Sequence, residues 1–398
     1  MTRKITDNQA FTGQLLSYNY YPDKKYLPSS AFKAVEYLDD GNIKIRIGAP
    51  EAREVKIVVQ FGKIAPEGYC DWEDEPVYGV KDEEGIFTFI IRYDRSHTGS
   101  RSLKVFIDGT MVIWPYLPVG FGSNRIQNYL EFPDEDLAFS YIYDVPHGAL
   151  SSQLFHSSVT GREERIMIYT PPGYNKSNRD YPTVYLLHGG SDNETTWFSR
   201  ANANHIFDNM IAEGKCEPFI CVCLNDMGTY GTDSPDRKWE KTDGITEDIL
   251  LKDIIPFMNA NYRVIDDRFY RAIGGLSLGA LQACDIGFGH PEVFGNMGFL
   301  TSIFEHESYT NAKGRPWEQA LKDPEKVARD YKVIFCSATP QEDHFPYYLN
   351  DRRLMREAGL EELMDGYYYE AHDGRFTRWS SWRIGLRDFV CRLFKDNK

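Results

Sequence analysis

The chain has 398 residues, 42% of them hydrophobic and 26% charged, with 59 acidic against 45 basic side chains and a formal net charge of −14. A single core rarely grows to that length, so two domains are expected, and so ordinary a composition excludes a disordered or fibrous chain. The acidity argues against nucleic acid and anionic membrane as partners, and no apolar run reaches the length of a membrane helix.

Residues 1–24 form a polar extension without the apolar stretch of a secretory leader, which predicts a cytoplasmic protein. From 25 to 136 apolar and polar residues alternate. Ile43, Ile45 and Ile47 are followed by Val55, Ile57 and Val59, then Phe87, Phe89 and Ile91, then Leu103, Val105 and Ile107 before an Asp108-Gly109 turn. Period-two patterning between turn residues predicts an all-β sandwich. Pro133-Asp134-Glu135-Asp136 marks the boundary. From 137 to 398, strand-like runs at Arg165–Tyr169, Thr183–Leu187, Phe219–Leu224, Phe269–Ile273 and Lys332–Cys336 alternate with helical spacing at Ala203–Glu213, Ile249–Asn259, Leu278–Phe288 and Arg352–Ala358. That alternation predicts a mainly parallel sheet with helices on both faces. The seven cysteines are scattered. Cys221, Cys223 and Cys336 lie in apolar runs and read as small hydrophobes, and no paired Cys/His spacing supports a metal.

The most specific motif is Gly275-Leu276-Ser277-Leu278-Gly279, a G-x-S-x-G between a strand-like run and a helix. This is the setting of a nucleophile elbow: the turn is too sharp for side chains beside the serine, and the following helix aims N–H groups at a developing oxyanion. In an α/β-hydrolase the acid and then the histidine follow the serine. The loop after Lys332–Cys336 offers Asp343, with Glu342 second. Of the four later histidines, His290 reads as a helix cap and His344 is too near Asp343 in sequence. His372, after the expected last strand and before Asp373-Gly374, is the candidate base. Leu278 would supply one oxyanion N–H. Gly189 or Gly190, in His188-Gly189-Gly190-Ser191, would supply the other, with His188 read as a buried structural residue.

Asp144-Val145-Pro146-His147-Gly148, Tyr169-Thr170-Pro171-Pro172-Gly173-Tyr174, Tyr185-Leu186-Leu187-His188-Gly189-Gly190, Phe207-Asp208-Asn209-Met210-Ile211-Ala212 and the Ser277 motif together resemble the feruloyl and acetylxylan esterases of carbohydrate esterase family one. Phe106-Ile107-Asp108-Gly109 and Ser123-Asn124-Arg125 resemble, more weakly, the immunoglobulin-like early-set domain, related to glycogen-binding modules, that precedes such esterases. The resemblance implies an α/β-hydrolase domain over 137–398 behind an immunoglobulin-like accessory sandwich. It implies hydrolysis of hydroxycinnamoyl or acetyl esters of plant-derived saccharides through an acyl-enzyme, with no cofactor and a small-molecule or oligosaccharide substrate. Homo-oligomerisation stays open. One position departs from the pattern: the family keeps a histidine two residues before the first tryptophan of a W-x-x-W pair, and here Thr377 precedes Trp379 and Trp382. Two further readings follow: an enterochelin-type siderophore esterase, and a catalytically impaired hydrolase homologue that binds carbohydrate.

Overall fold

In a computed structural model, described over residues 33–61, 75–225, 244–301, 314–342, 344–372 and 378–395 with the backbone of short strands at 63–64 and 70–71, the alternating segments build two antiparallel sheets. One orders its strands Val35–Tyr37, Ile43–Gly48, Ile86–Ile91, Val80–Lys81; the other runs Val119–Gly122, Arg125–Phe132, Gly99–Ile107, Val55–Val59, Val77–Tyr78. Successive side chains of a strand point to opposite faces, so Ile43, Ile45 and Ile47 meet Val55, Ile57, Val59, Phe89 and Val105 in one buried cluster. Asp108 (φ 46°) and Gly109 (φ 84°) make the expected turn, and the Asp108 carboxylate accepts from the N–H groups of Arg53 and Glu54. The 1–24 extension lies outside the described residues.

The second part is an eight-stranded mixed sheet. Its strands are β1 (Ala149–His156), β2 (Glu163–Thr170), β3 (Thr183–Leu187), β4 (Ile220–Leu224), β5 (Arg271–Leu276), β6 (Asn296–Leu300), β7 (Val333–Ala338) and β8 (Tyr367–Ala371), in the order β1-β2-β4-β3-β5-β6-β7-β8. Only β1 and β2 pair antiparallel with their neighbours; β3 to β8 are parallel where they meet. Every residue of β3 and β4 is buried because helices cover both faces. On one face lie α1 (Ala203–Ala212) and α4 (Trp379–Val390), with Val184 and Leu186 pointing toward them. On the other lie α2 (Leu278–Gly289) and α3 (Phe345–Glu357), with Tyr185 and Leu187 beneath. Strands β1 and β6 were not legible as strands. Gly298 in β6 is required by packing, since a Cβ there would sit 2.6 Å from the Phe389 ring. Among the described residues no helix is long and apolar enough to cross a membrane.

One helix joins the two parts. Arg383 of α4 and Glu131 of the sandwich, 1% and 2% exposed at the side chain, form a bidentate ion pair at 2.5 and 2.9 Å. The same guanidinium donates to the Arg200 carbonyl at 2.6 Å. Ser380 donates to the Thr98 carbonyl, and Arg200 to Ser100 Oγ. Removing one partner strands a buried charge. Glu131→Leu is therefore expected to lower unfolding stability by about 3–5 kcal/mol, and Glu131→Leu/Arg383→Met to recover most of that loss, as measured by urea denaturation.

Candidate active site

The Ser277 backbone holds φ 51° and ψ −119°, a conformation costly for a residue with a Cβ, directly between β5 and α2. The flanking glycines are dictated by contact. A Cβ on Gly275 would come within 2.5 Å of the Gly279 backbone, and one on Gly279 within 2.3 Å of the His188 carbonyl. The serine N–H donates to the Leu300 carbonyl at 3.0 Å, while the residue itself stays partly exposed. Its strained turn lifts the side chain off the sheet edge, and α2 begins at Leu278 immediately behind it.

Strand register decides the neighbours. Leu187 of β3 pairs with Gly275 of β5, so the glycine loop that follows β3 lies beside the elbow. Gly189 is packed against Leu276, where a Cβ would meet Cδ1 at 2.4 Å; Gly190 is exposed, with nothing within 4 Å of a Cβ. Leu278, at the head of α2, and the Gly189-Gly190 loop therefore lie at the ends of adjoining strands, on either side of the turn that carries Ser277. His188 is fully buried, with Nδ1 2.8 Å from the Gly189 carbonyl and Nε2 3.3 Å from Asn225 Oδ1. The sandwich reaches this loop as well. At the tip of its Val119–Gly122/Arg125–Phe132 hairpin, Asn124 donates its N–H to the Ser191 carbonyl at 2.8 Å and its side-chain amide to Ser191 Oγ at 3.2 Å.

On the other side, Leu276 pairs with Leu300, which brings Thr301 beside the serine. The Thr301 hydroxyl donates to Glu342 Oε2 at 2.6 Å, and Trp382 Nε1 donates to Thr301 Oγ1 at 2.8 Å. The other Glu342 oxygen is buried without a partner. Burial pushes the Glu342 carboxyl up to about 7, against the opposing pull of the Thr301 hydroxyl, the Thr339 backbone and Arg378. Asp343 and Thr377 lie outside the described residues. Thr301 escaped the sequence reading because β6, whose end it occupies, was not recognised; the short apolar Asn296-Met297-Gly298-Phe299-Leu300 run was the available signal.

His372 follows β8 directly, with its N–H on the Ala338 carbonyl at 2.8 Å. β6 and β7 stand between β8 and β5. The imidazole lies under α4: Nε2 is buried and unpaired, 3.6 Å from where a Gly385 Cβ would be. Burial pushes its pKa down to about 4; Asp388 raises it, while Arg387 and Arg392 lower it further. The structure thus brings Ser277, Leu278, Gly189, Gly190 and the Thr301–Glu342 pair to adjoining strand ends, and His372 Nε2 makes no hydrogen bond to any of them. His290 is held at the far end of α2 between Glu247 and Glu292, at 2.9 and 3.0 Å.

Among the described residues, two groups have metal-ligand chemistry: Glu370, His372 and Asp388, and His147, His205 and Asp208, each with ligand atoms within 4.8 Å of one another. In the second, Asp208 already accepts from Tyr169 OH, the Gly148 N–H and His147 Nδ1 at 2.7–2.8 Å, which ties the segment before β1 to α1. A cavity of about 640 Å³ lined by Asp267, Asn296, Lys332 and Arg392 lies at the opposite ends of the strands from the elbow.

Comparison with known proteins agrees with this architecture. The chain is 28% identical over 387 residues to an endo-1,4-beta-xylanase/feruloyl esterase of Xylanibacter ruminicola, a match covering 95% of this chain and 48% of the relative. It is 27% identical over 153 residues to endo-1,4-beta-xylanase Y of Acetivibrio thermocellus, covering 36% of this chain and 13% of that protein. The chain thus spans half or less of the length of these curated relatives. A ferulic acid esterase of Anaeromyces mucronatus superposes with a TM-score of 0.52 at 19% identity, covering 64% of this chain and 93% of that one. The enterobactin esterase of Shigella flexneri superposes at 0.57 with 12% identity, covering 88% and 92%. The family model Esterase, described as "Putative esterase", matches residues 157–393. With more than half of its length matched by that model, the chain belongs to the esterase family.

Proposed function

We propose that the protein is a serine carboxylesterase that hydrolyses hydroxycinnamoyl (feruloyl) or acetyl esters of plant-derived saccharides. The observation that carries the reading is the strained Ser277 elbow at the head of α2, beside the Gly189-Gly190 loop. The feruloyl esterase activity in the name of the Xylanibacter ruminicola relative, matched across 95% of this chain, supports the acyl class. In this mechanism Ser277 Oγ attacks the ester carbonyl while its proton passes to a base. The N–H groups of Leu278 and of Gly189 or Gly190 hold the oxyanion, and the alcohol leaves with the proton. Water then attacks the acyl-serine by the reverse sequence.

His372 is the proposed base, with Asp343 orienting it. Its imidazole is neutral at pH 7, the form that accepts a proton, and its buried Nε2 has no hydrogen-bond partner. Service at Ser277 requires the ring to reach across the ends of β6 and β7 when substrate is bound. Glu342, in the loop after β7 with β6 between it and the elbow strand, is the competing acceptor. The proposed domains are the early-set-like sandwich over 25–136 and an α/β-hydrolase unit over 137–398. A cytoplasmic enzyme acting on imported oligosaccharide or phenolic esters, without nucleic-acid or membrane partners, completes the reading. A siderophore ester substrate is the second reading, favoured by the enterobactin esterase superposition, which extends over the sandwich as well.

A fluorophosphonate probe is expected to label the wild-type protein and not Ser277→Ala, and the variant should lose roughly 10³-fold or more in kcat/KM on methyl ferulate or 4-nitrophenyl acetate. A wild type neither labelled nor active on these or siderophore esters, yet retaining oligosaccharide, would instead establish the binding reading. If His372 is the base, kcat/KM rises with an inflection near pH 4 and stays level through neutrality, and His372→Ala abolishes turnover. An inflection near pH 7 that disappears in Glu342→Gln assigns the proton to Glu342.

The raised carboxyl has a stability consequence. A group whose folded pKa lies above its unfolded value stabilises fully below the unfolded pKa and loses that contribution as pH rises through the folded one. The wild-type Tm should therefore fall between about pH 4.5 and 7 more steeply than that of Glu342→Gln, as read by calorimetry across that range.

A further inference from the structure

Cys216 and Cys391 are 175 residues apart in the chain, yet their sulfurs lie 3.2 Å from one another. Cys216 follows α1, its N–H on the Met210 carbonyl, and Cys391 caps α4, its N–H on the Arg387 carbonyl. Both helices belong to the same layer, so the approach is set by two rigid elements and not by a loose terminus. A disulfide would need the sulfurs to close by only about 1.2 Å. From this geometry we propose that Cys216 and Cys391 are a reversible redox pair, oxidised to a disulfide by thiol–disulfide exchange with a small-molecule disulfide.

The two sulfurs have different roles. Cys216 is 6% exposed, whereas Cys391 is half-buried and open to a reagent. The thiol–thiol contact, with Arg387 and Lys395 nearby, lowers the Cys391 thiol against its partial burial and Asp388, while the same contact, then burial and Glu217, raise Cys216. Cys391, the more accessible of the two sulfurs, is therefore the attacking thiolate. It displaces one thiolate from the small disulfide and forms a mixed disulfide. Cys216, giving up its proton, then attacks the Cys391 sulfur and expels the second thiolate. The pair loses two electrons and two protons, and the reagent gains them as two thiols. The other described cysteines have no comparable access: Cys221, Cys223, Cys284 and Cys336 are at most 1% exposed, and Cys221 and Cys223 sit 4.0 Å apart within one strand.

The bond would pin the last turn of α4 to the end of α1. The first turns of α4 hold Trp382 against Thr301 and Arg383 against Glu131. Oxidation therefore tethers the helix on which the cleft and the sandwich both rest, and the long chain separation makes its effect on the unfolded state large.

The test uses the full chain, reduced and then incubated with oxidised glutathione. After denaturation and treatment with maleimide, the number of labelled cysteines should fall from seven to five, with a tryptic product joining Cys216 to Cys391 and no retained glutathione. Tm should rise by roughly 5–10 °C and return to its starting value with dithiothreitol. Cys391→Ser and Cys216→Ser should each remove the cross-link and the Tm response, and Cys216→Ser should retain glutathione on Cys391. If all seven cysteines remain reactive, if glutathione stays on wild-type Cys391, or if other cysteines pair, the proposal is overturned. The wild-type comparison with and without dithiothreitol needs no variant to fold.

Discussion

The buried pair between Glu131 and Arg383 is the contact on which the two parts of this molecule depend. Neither charge reaches water, so each is tolerable only because the other, together with the Arg200 carbonyl, surrounds it. The consequence extends beyond attachment. Arg383 lies one residue past Trp382, whose indole holds Thr301 beside the elbow. Seating α4 against the sandwich and building one wall of the cleft are therefore the same act of packing. On the opposite wall, the Asn124 hairpin grips Ser191 beyond the glycine loop. The sandwich thus braces the eight-stranded sheet from two directions, on both sides of the Ser277 turn.

The elbow shows how sterics and chemistry converge. Gly275 and Gly279 face each other across a turn with no room for a methyl group, and Gly279 presses on the His188 carbonyl at the end of β3. The close approach that demands glycine also brings the Gly189-Gly190 loop against the serine. Ser277 and the proposed oxyanion donors are thus positioned by one constraint, the parallel pairing of β3 with β5. Backbone strain at Ser277 is sustained because both neighbouring strands hold the turn.

Much of this was legible from residue order. Alternation at Ile43–Ile47 and Phe87–Ile91 reports a strand with one buried face, and the structure has it. The G-x-S-x-G motif placed Ser277 correctly between strand and helix, because the glycines respond to local crowding. Less was legible where a segment owes its form to neighbours. β6 contains Asn296 and Gly298, weak strand residues in isolation, and becomes a strand because β5 and β7 pair with it on either side. β1 is largely exposed along its length, so its hydrophobic signal was faint. His372 was legible as a candidate base by its place in chain order, while the position of its ring under α4 comes from packing between β8 and that helix.

The sequence alone determined the local grammar: where strands and helices alternate, where the chain must turn on glycine, and which serine sits at the sharpest turn. These follow from periodicity and steric exclusion, which act over a few residues. Only the tertiary structure decided that Glu342 is a shielded carboxyl titrating near neutrality, that Glu131 and Arg383 meet, and that Cys216 and Cys391 touch. Each depends on desolvation or proximity between residues far apart in the chain, and the identity of a residue carries no record of what will exclude water from it.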